Sequence, residues 1–140
     1  MTRREARVLA FMLIYQAEIQ NDSPENIMEV YYLEHDIEEK ARDYVEDVFY
    51  GFCKNKESID GIITKYLDGW KLERVAKISL SAIRLSVYEI FHRSDIPSGV
   101  SINEAVDIVK KYSGTEESSF VNGLLSSVLR SKEAGTEQCT

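Results

Sequence analysis

Three arginines stand within the first seven positions, in "TRREAR". On a helix, Arg3 and Arg7 share a face and Arg4 lies beside them. A guanidinium is planar, permanently charged and matches a phosphate with paired donors. Three of them together suit a nucleic-acid backbone, and each phosphate neutralised adds salt-dependent affinity. The same residues also suit a solubilising first turn, and spacing does not choose between the two. Lys110 and Lys111 make a second basic point, near the end of a helical pattern where they would also complement the helix dipole. Tyr15 and Phe120 offer rings for base stacking, although aromatics at helical spacing more often belong to a core.

No residues stand out as catalytic. The two histidines, His35 and His92, have no second His or Cys at ligand spacing, which argues against a metal site. There is no Gly-rich phosphate loop, no nucleophile elbow and no H-E-x-x-H pattern. The carboxylates are spread along helical patterns as solvated faces are. The chain therefore reads as non-enzymatic, with no cofactor. Cys53 and Cys139 form no disulfide framework and read as reduced thiols of a cytoplasmic protein.

The body is acidic, with a formal net charge of −7. The imbalance is local: residues 18–47 hold 11 acids against Lys40 and Arg42. Such a body repels nucleic acid in general and admits it only near the arginines. The apolar run "VLAFMLIY" after the basic start has a superficial likeness to a secretory signal. Glu5 interrupts the basic part, however, and "QAEIQND" offers no small-residue cleavage site. The run is also far shorter than the ~20 residues that span a bilayer.

The elements that must position these residues are helical almost throughout. Val8, Phe11, Met12, Tyr15 and Ile19 repeat at helical spacing. Ser23 and Pro24 are a cap and first position for a second helix carrying Ile27, Val30 and Tyr31. A third runs from about Ile37 to Lys54. A fourth carries Ile59, Ile62, Ile63, Tyr66 and Leu67 and stops at Gly69, with Trp70 and Leu72 anchoring a turn into the core. "ISLSAIRLSVYEIF", capped by Ser79, is apolar on most sides and belongs at the centre. Ser101 and Glu104 form a capping box for the next helix, which Gly114 ends. The last helix starts near Ser118, and Gly123 within it implies close packing against a neighbour. The expectation is an all-α fold of about seven helices, a single compact domain over 1–132 with a polar, frayed tail at 133–140.

Four stretches carry a family resemblance: "RREAR" with its apolar run, "WKLERVAKISLSAIRLSVYEI", "IPSGVSINEAVDIVKKYS" and "SFVNGLL". In this order, across residues 3–130, they resemble the NusB family of bacterial transcription antitermination factors. The resemblance implies two packed helical bundles and a non-enzymatic role. It implies binding of boxA-containing single-stranded RNA together with NusE, a small-subunit ribosomal protein, in an antitermination complex with RNA polymerase on ribosomal RNA operons. Arg3, Arg4 and Arg7 would be the RNA anchor, with Tyr15, Glu116 and Phe120 near the RNA and partner surface and Glu116 on the partner's side. Ser119 stands where relatives often carry Lys, and Ser79 where an acid is common, so RNA binding without the partner should be weak. Monomers and dimers both occur in the family, so a homodimer stays open. The alternatives are a general RNA-binding or ribosome-assembly helper using the same surface, and a helical interaction module that does not bind RNA. A NusB-like domain also occurs in some ribosomal RNA methyltransferases, but these 140 residues carry no cofactor-binding motif.

Overall fold

The computed structural model describes residues 1–138, and every regular element among them is a helix. Seven α-helices follow in order: α1 Arg3–Gln20, α2 Pro24–Glu34, α3 Glu39–Lys54, α4 Lys56–Lys65, α5 Lys77–His92, α6 Ser98–Ser113 and α7 Thr115–Glu133. A single 3-10 turn, Leu72–Arg74, leads into α5. Cys139 lies outside the described residues.

α5 is the axis of the fold. Every residue from Ser79 to Ile90 is buried, as a helix apolar nearly all round must be. It packs on α1 and α3 on one side and on α4, α6 and α7 on the other. The first group, with α2, forms one bundle and the second group forms the other. α3 and α5 approach closely at Gly51, where any side-chain carbon would collide with the Tyr88 ring.

Local signals set most boundaries. Thr2 Oγ1 accepts from the Glu5 backbone N–H at 3.1 Å while the Glu5 carboxylate accepts from the Thr2 N–H at 2.8 Å. This capping box starts α1 at Arg3, so the arginines are helical from the outset. Ser23 caps α2 with Pro24 in its first turn, as the sequence indicates. Gly114, at φ 92°, ends α6 and opens α7.

Several expectations need correction. α5 begins at Lys77, so Ser79 is not its cap; its hydroxyl donates to Glu117 at 2.7 Å. The Ser101–Glu104 pair is not a capping box either. Pro97 supplies the extended residue before α6, which begins at Ser98, and Ser101 turns inward. α7 starts at Thr115 rather than near Ser118. Gly123 faces open space, so close packing does not explain it.

Trp70 does not anchor the turn: it is 68% exposed. Asp68 and Gly69 both take left-handed backbone, which redirects the chain, and Leu67 and Val75 fill the interior position instead. Beyond α7 the chain turns back. Glu137 is buried and pairs with Lys65 at 2.9 Å.

Candidate nucleic-acid interface

The register of α1 separates the three arginines. Positions 7, 10 and 14 point to the core with Leu13, which takes Arg7 inside. Its side chain is 3% exposed and its Nε donates to both oxygens of Glu89, at 3.0 and 3.2 Å. Glu89 is itself fully buried and also accepts from the Tyr44 hydroxyl and from Ser101 Oγ. A buried carboxylate needs such a complete set of donors. Arg7 is therefore not a phosphate anchor, contrary to what the family resemblance implies. Its guanidinium is committed to holding α1 against α5.

Arg3 and Arg4 stay at the surface. Arg4 reaches α6, where its guanidinium contacts Glu104 at 3.1 Å; that hydrogen bond holds the Arg4 charge more firmly than usual. Arg3 makes no ion pair among the described residues and lies over the Tyr44 ring, 4.5 Å from its centroid. Arg7 and Arg93 approach the same ring, at 5.7 and 5.5 Å. Burial first, then the nearby Glu89 carboxylate, holds the Tyr44 hydroxyl well above its ordinary pKa. The ring is thus a neutral platform for three cations. Two of these are balanced: Arg7 by Glu89, and Arg93 by Asp95 at 2.8 Å and Asp47 at 3.1 Å. Arg3 alone is left to meet an outside anion.

Further along α1, Met12 and Ile19 are more than half exposed, although the apolar pattern reads them as core. With Tyr15, Phe11, Ile78 and Tyr112 they line an open groove of about 420 Å³. Tyr112 stacks on Phe11 with ring centroids 6.0 Å apart, and Lys111 Nζ lies 5.5 Å from the Tyr112 ring. Tyr15 thus lines the groove, while Lys111 lies outside its lining and reaches it only through the Tyr112 ring. Lys110 is exposed on the last turn of α6. Across the first turn of α5 lies a second cleft, which holds Glu116 and Phe120 together with Trp70 and Arg74.

The structure thus brings Glu116 and Phe120 together in one cleft, and it does not bring Tyr15 and Lys111 into contact. It places Arg3 and Arg4 at the head of α1 and removes Arg7 from the surface. The sequence reading gave no site role to Tyr44, Arg93 or Tyr112, and it placed the exposed Trp70 in the core. For Arg7 a signal did exist: Glu89 is an acid inside the most apolar segment, and it requires a buried cation. Among the described residues no helix is long and apolar enough to cross a membrane.

Known proteins share this architecture. The chain is 48% identical over 132 residues to transcription antitermination protein NusB of Acetivibrio thermocellus, covering 94% of this chain and 91% of that one. It is 39% identical over 128 residues to the protein of the same name from Listeria monocytogenes, covering 91% and 96%. The solved structure of T. maritima NusB superposes with a TM-score of 0.86 at 29% identity, over 100% of this chain and 94% of that one. A chain from the crystal structure of antitermination factors NusB and NusE in complex with dsRNA gives 0.82 at 28% identity, over 94% and 99%. A sequence model of the NusB family matches residues 4–130, which take in Arg4 but not Arg3, together with the groove and the second cleft. With the same helices in the same order over nearly its whole length, the chain belongs to the NusB family.

Proposed function

We propose that this protein is a transcription antitermination factor that binds boxA-containing single-stranded RNA jointly with a NusE-type ribosomal protein, and so keeps RNA polymerase processive on ribosomal RNA operons. It acts by binding and not by catalysis. The observation that carries the RNA part is Arg3, an exposed guanidinium held on Tyr44 with no carboxylate of its own among the described residues. Arg4 stands beside it. Lys110 and Lys111 add charge at the end of α6, and Tyr15 and Phe120 supply rings. Arg7 contributes from inside, by fixing the first turns of α1.

The open groove of Met12, Tyr15, Ile19 and Tyr112 supports the partner part. Its apolar lining provides area to bury, and the acidic body favours a basic ribosomal protein. Glu116, exposed at the start of α7, is the partner-facing acid. The same groove also suits a second copy of the chain, which would make a homodimer that competes with the partner.

The test is fluorescence anisotropy of a labelled boxA RNA against a scrambled RNA, with and without the NusE-type partner, at two salt concentrations. The expected result is weak binding alone, selective tightening on boxA with partner, and a flatter salt slope after Arg3→Ala with Arg4→Ala. Equal tightening on both RNAs would favour a general RNA-binding or ribosome-assembly helper. No RNA binding under any condition would leave a helical interaction module.

A further inference from the structure

Trp70 is the single tryptophan of the chain, and it stands 68% exposed at the approach to the 3-10 turn. Phe120, on the second turn of α7, is 38% exposed. Both line one cleft of about 300 Å³, whose floor is made by the buried Leu67 and Val75. That size is at the lower end of small-molecule sites, ~300–1,000 Å³. Large aromatic surface left in water is unfavourable unless something covers it.

The charges around the cleft restrict the occupant. Arg74 lines it and makes no ion pair among the described residues. Glu116 and Glu117 line it from α7. Two carboxylates on that side repel a phosphate from the interior, while Arg74 attracts one to its own side. Two rings over an apolar floor, with one free cation beside them, match what single-strand binders present to a nucleotide: a face for the base and a charge for its backbone.

We propose that this cleft is a pocket for one unpaired nucleobase, stacked against Trp70 and Phe120, with Arg74 meeting the phosphate of the same nucleotide. The pocket rests on the RNA-binding reading above and extends it: the arginines of α1 hold backbone, and this cleft holds a base. It also gives Trp70 a role that its place in the sequence does not reveal.

Because the chain has no other tryptophan, Trp70 emission reports on the cleft. The experiment uses the full chain with its NusE-type partner and a short single-stranded boxA RNA. Anisotropy of a dye on the RNA reports binding; Trp70 emission and its quenching by acrylamide, corrected for the partner alone, report the cleft. RNA binding should quench Trp70 and shield it from acrylamide. Trp70→Ala should weaken RNA binding roughly ten-fold, and Trp70→Phe, which keeps a ring, less than about three-fold. One abasic position in the RNA should cost the same ten-fold, restore Trp70 emission, and add nothing to Trp70→Ala. Arg74→Ala should lower the salt slope by about one. If RNA binds while Trp70 emission, acrylamide access and the Trp70→Ala affinity all stay unchanged, the pocket is overturned and the functional reading stands. If the partner alone shields Trp70 and RNA adds nothing, the cleft is a protein contact and the pocket is again overturned. If no RNA binds at all, the functional reading falls and the pocket with it.

Discussion

The two ends of α1 present opposite surfaces. At its start, four guanidiniums gather near Tyr44 and Glu104, and three are neutralised by carboxylates of this chain. At its end, Met12, Tyr15 and Ile19 lie open beside Tyr112 with no side chain over them. The first region is polar and internally satisfied; the second is apolar and uncovered. Charges held by partners within the chain give a ligand orientation and little net attraction. Open apolar area gives affinity in proportion to what is buried. Under the proposed function, the head of the helix would set register on RNA and its tail would supply the strength of partner binding.

The largest test of that division lies under the head. Glu89→Ala leaves the Arg7 guanidinium buried and unpaired, and should destabilise the fold by about 3–5 kcal/mol in urea unfolding. Adding Arg7→Met should restore most of the loss, since a buried pair is worth far less than either half alone costs. A loss below about 1 kcal/mol for the single change would mean that Arg7 is not committed to the core. The next effect lies at the tail. Met12→Glu puts charge into the groove and should weaken partner binding by at least about ten-fold in calorimetry. Stability should move by no more than about 0.5 kcal/mol, because the site is exposed. Unchanged partner affinity would break the comparison outright.

Smaller effects separate Arg3 from Arg4. Arg3→Ala should lower the RNA salt slope by about one. Glu104→Gln frees Arg4 and should tighten RNA binding, by less than about five-fold, since an exposed ion pair is weak. Equal behaviour of the two variants would show that the Arg4–Glu104 contact does not restrain Arg4. The smallest effect is alkaline. Burial pushes the Cys53 thiol up to about 11, and burial with Asp47 pushes the Tyr88 hydroxyl up to about 12. Raised values mean that the folded chain holds these protons more tightly. That stability is intact below the unfolded values of 9.0 and 10.0 and is lost as pH rises through about 11 and 12. Urea midpoints should fall above pH 9, and Cys53→Ala should remove the earliest part of the fall.

Period and composition disclose the helices and the central place of α5, because burial on all sides leaves no polar face to write. They disclose less about which stripe is covered. Met12 and Ile19 lie on a flank of α1 that neighbouring helices leave open, while Leu13 and Ile14 on its inner face are buried, so an apolar stripe there is a groove. Capping signals are local and lose to tertiary partners: Ser101 has the right spacing for a cap, but Glu89 claims its hydroxyl. The site was half legible. Charge type marked Arg3 and Arg4, whereas the fate of Arg7 depended on an acid 82 residues away. Trp70 was misread because a lone aromatic after a glycine turn carries no period from which to infer its direction.

The contact of Gly51 with Tyr88 reaches beyond packing. Tyr88 is pinned on one side by Asp47, which accepts from its hydroxyl at 3.0 Å, and on the other by His92, stacked 4.8 Å away. A larger residue at position 51 therefore requires the ring to give up its contacts with Asp47 and His92. The two positions are therefore coupled, and a side chain at 51 costs less once the residue at 88 is small. Gly51→Ala should then cost less stability beside Tyr88→Ala than beside the native tyrosine.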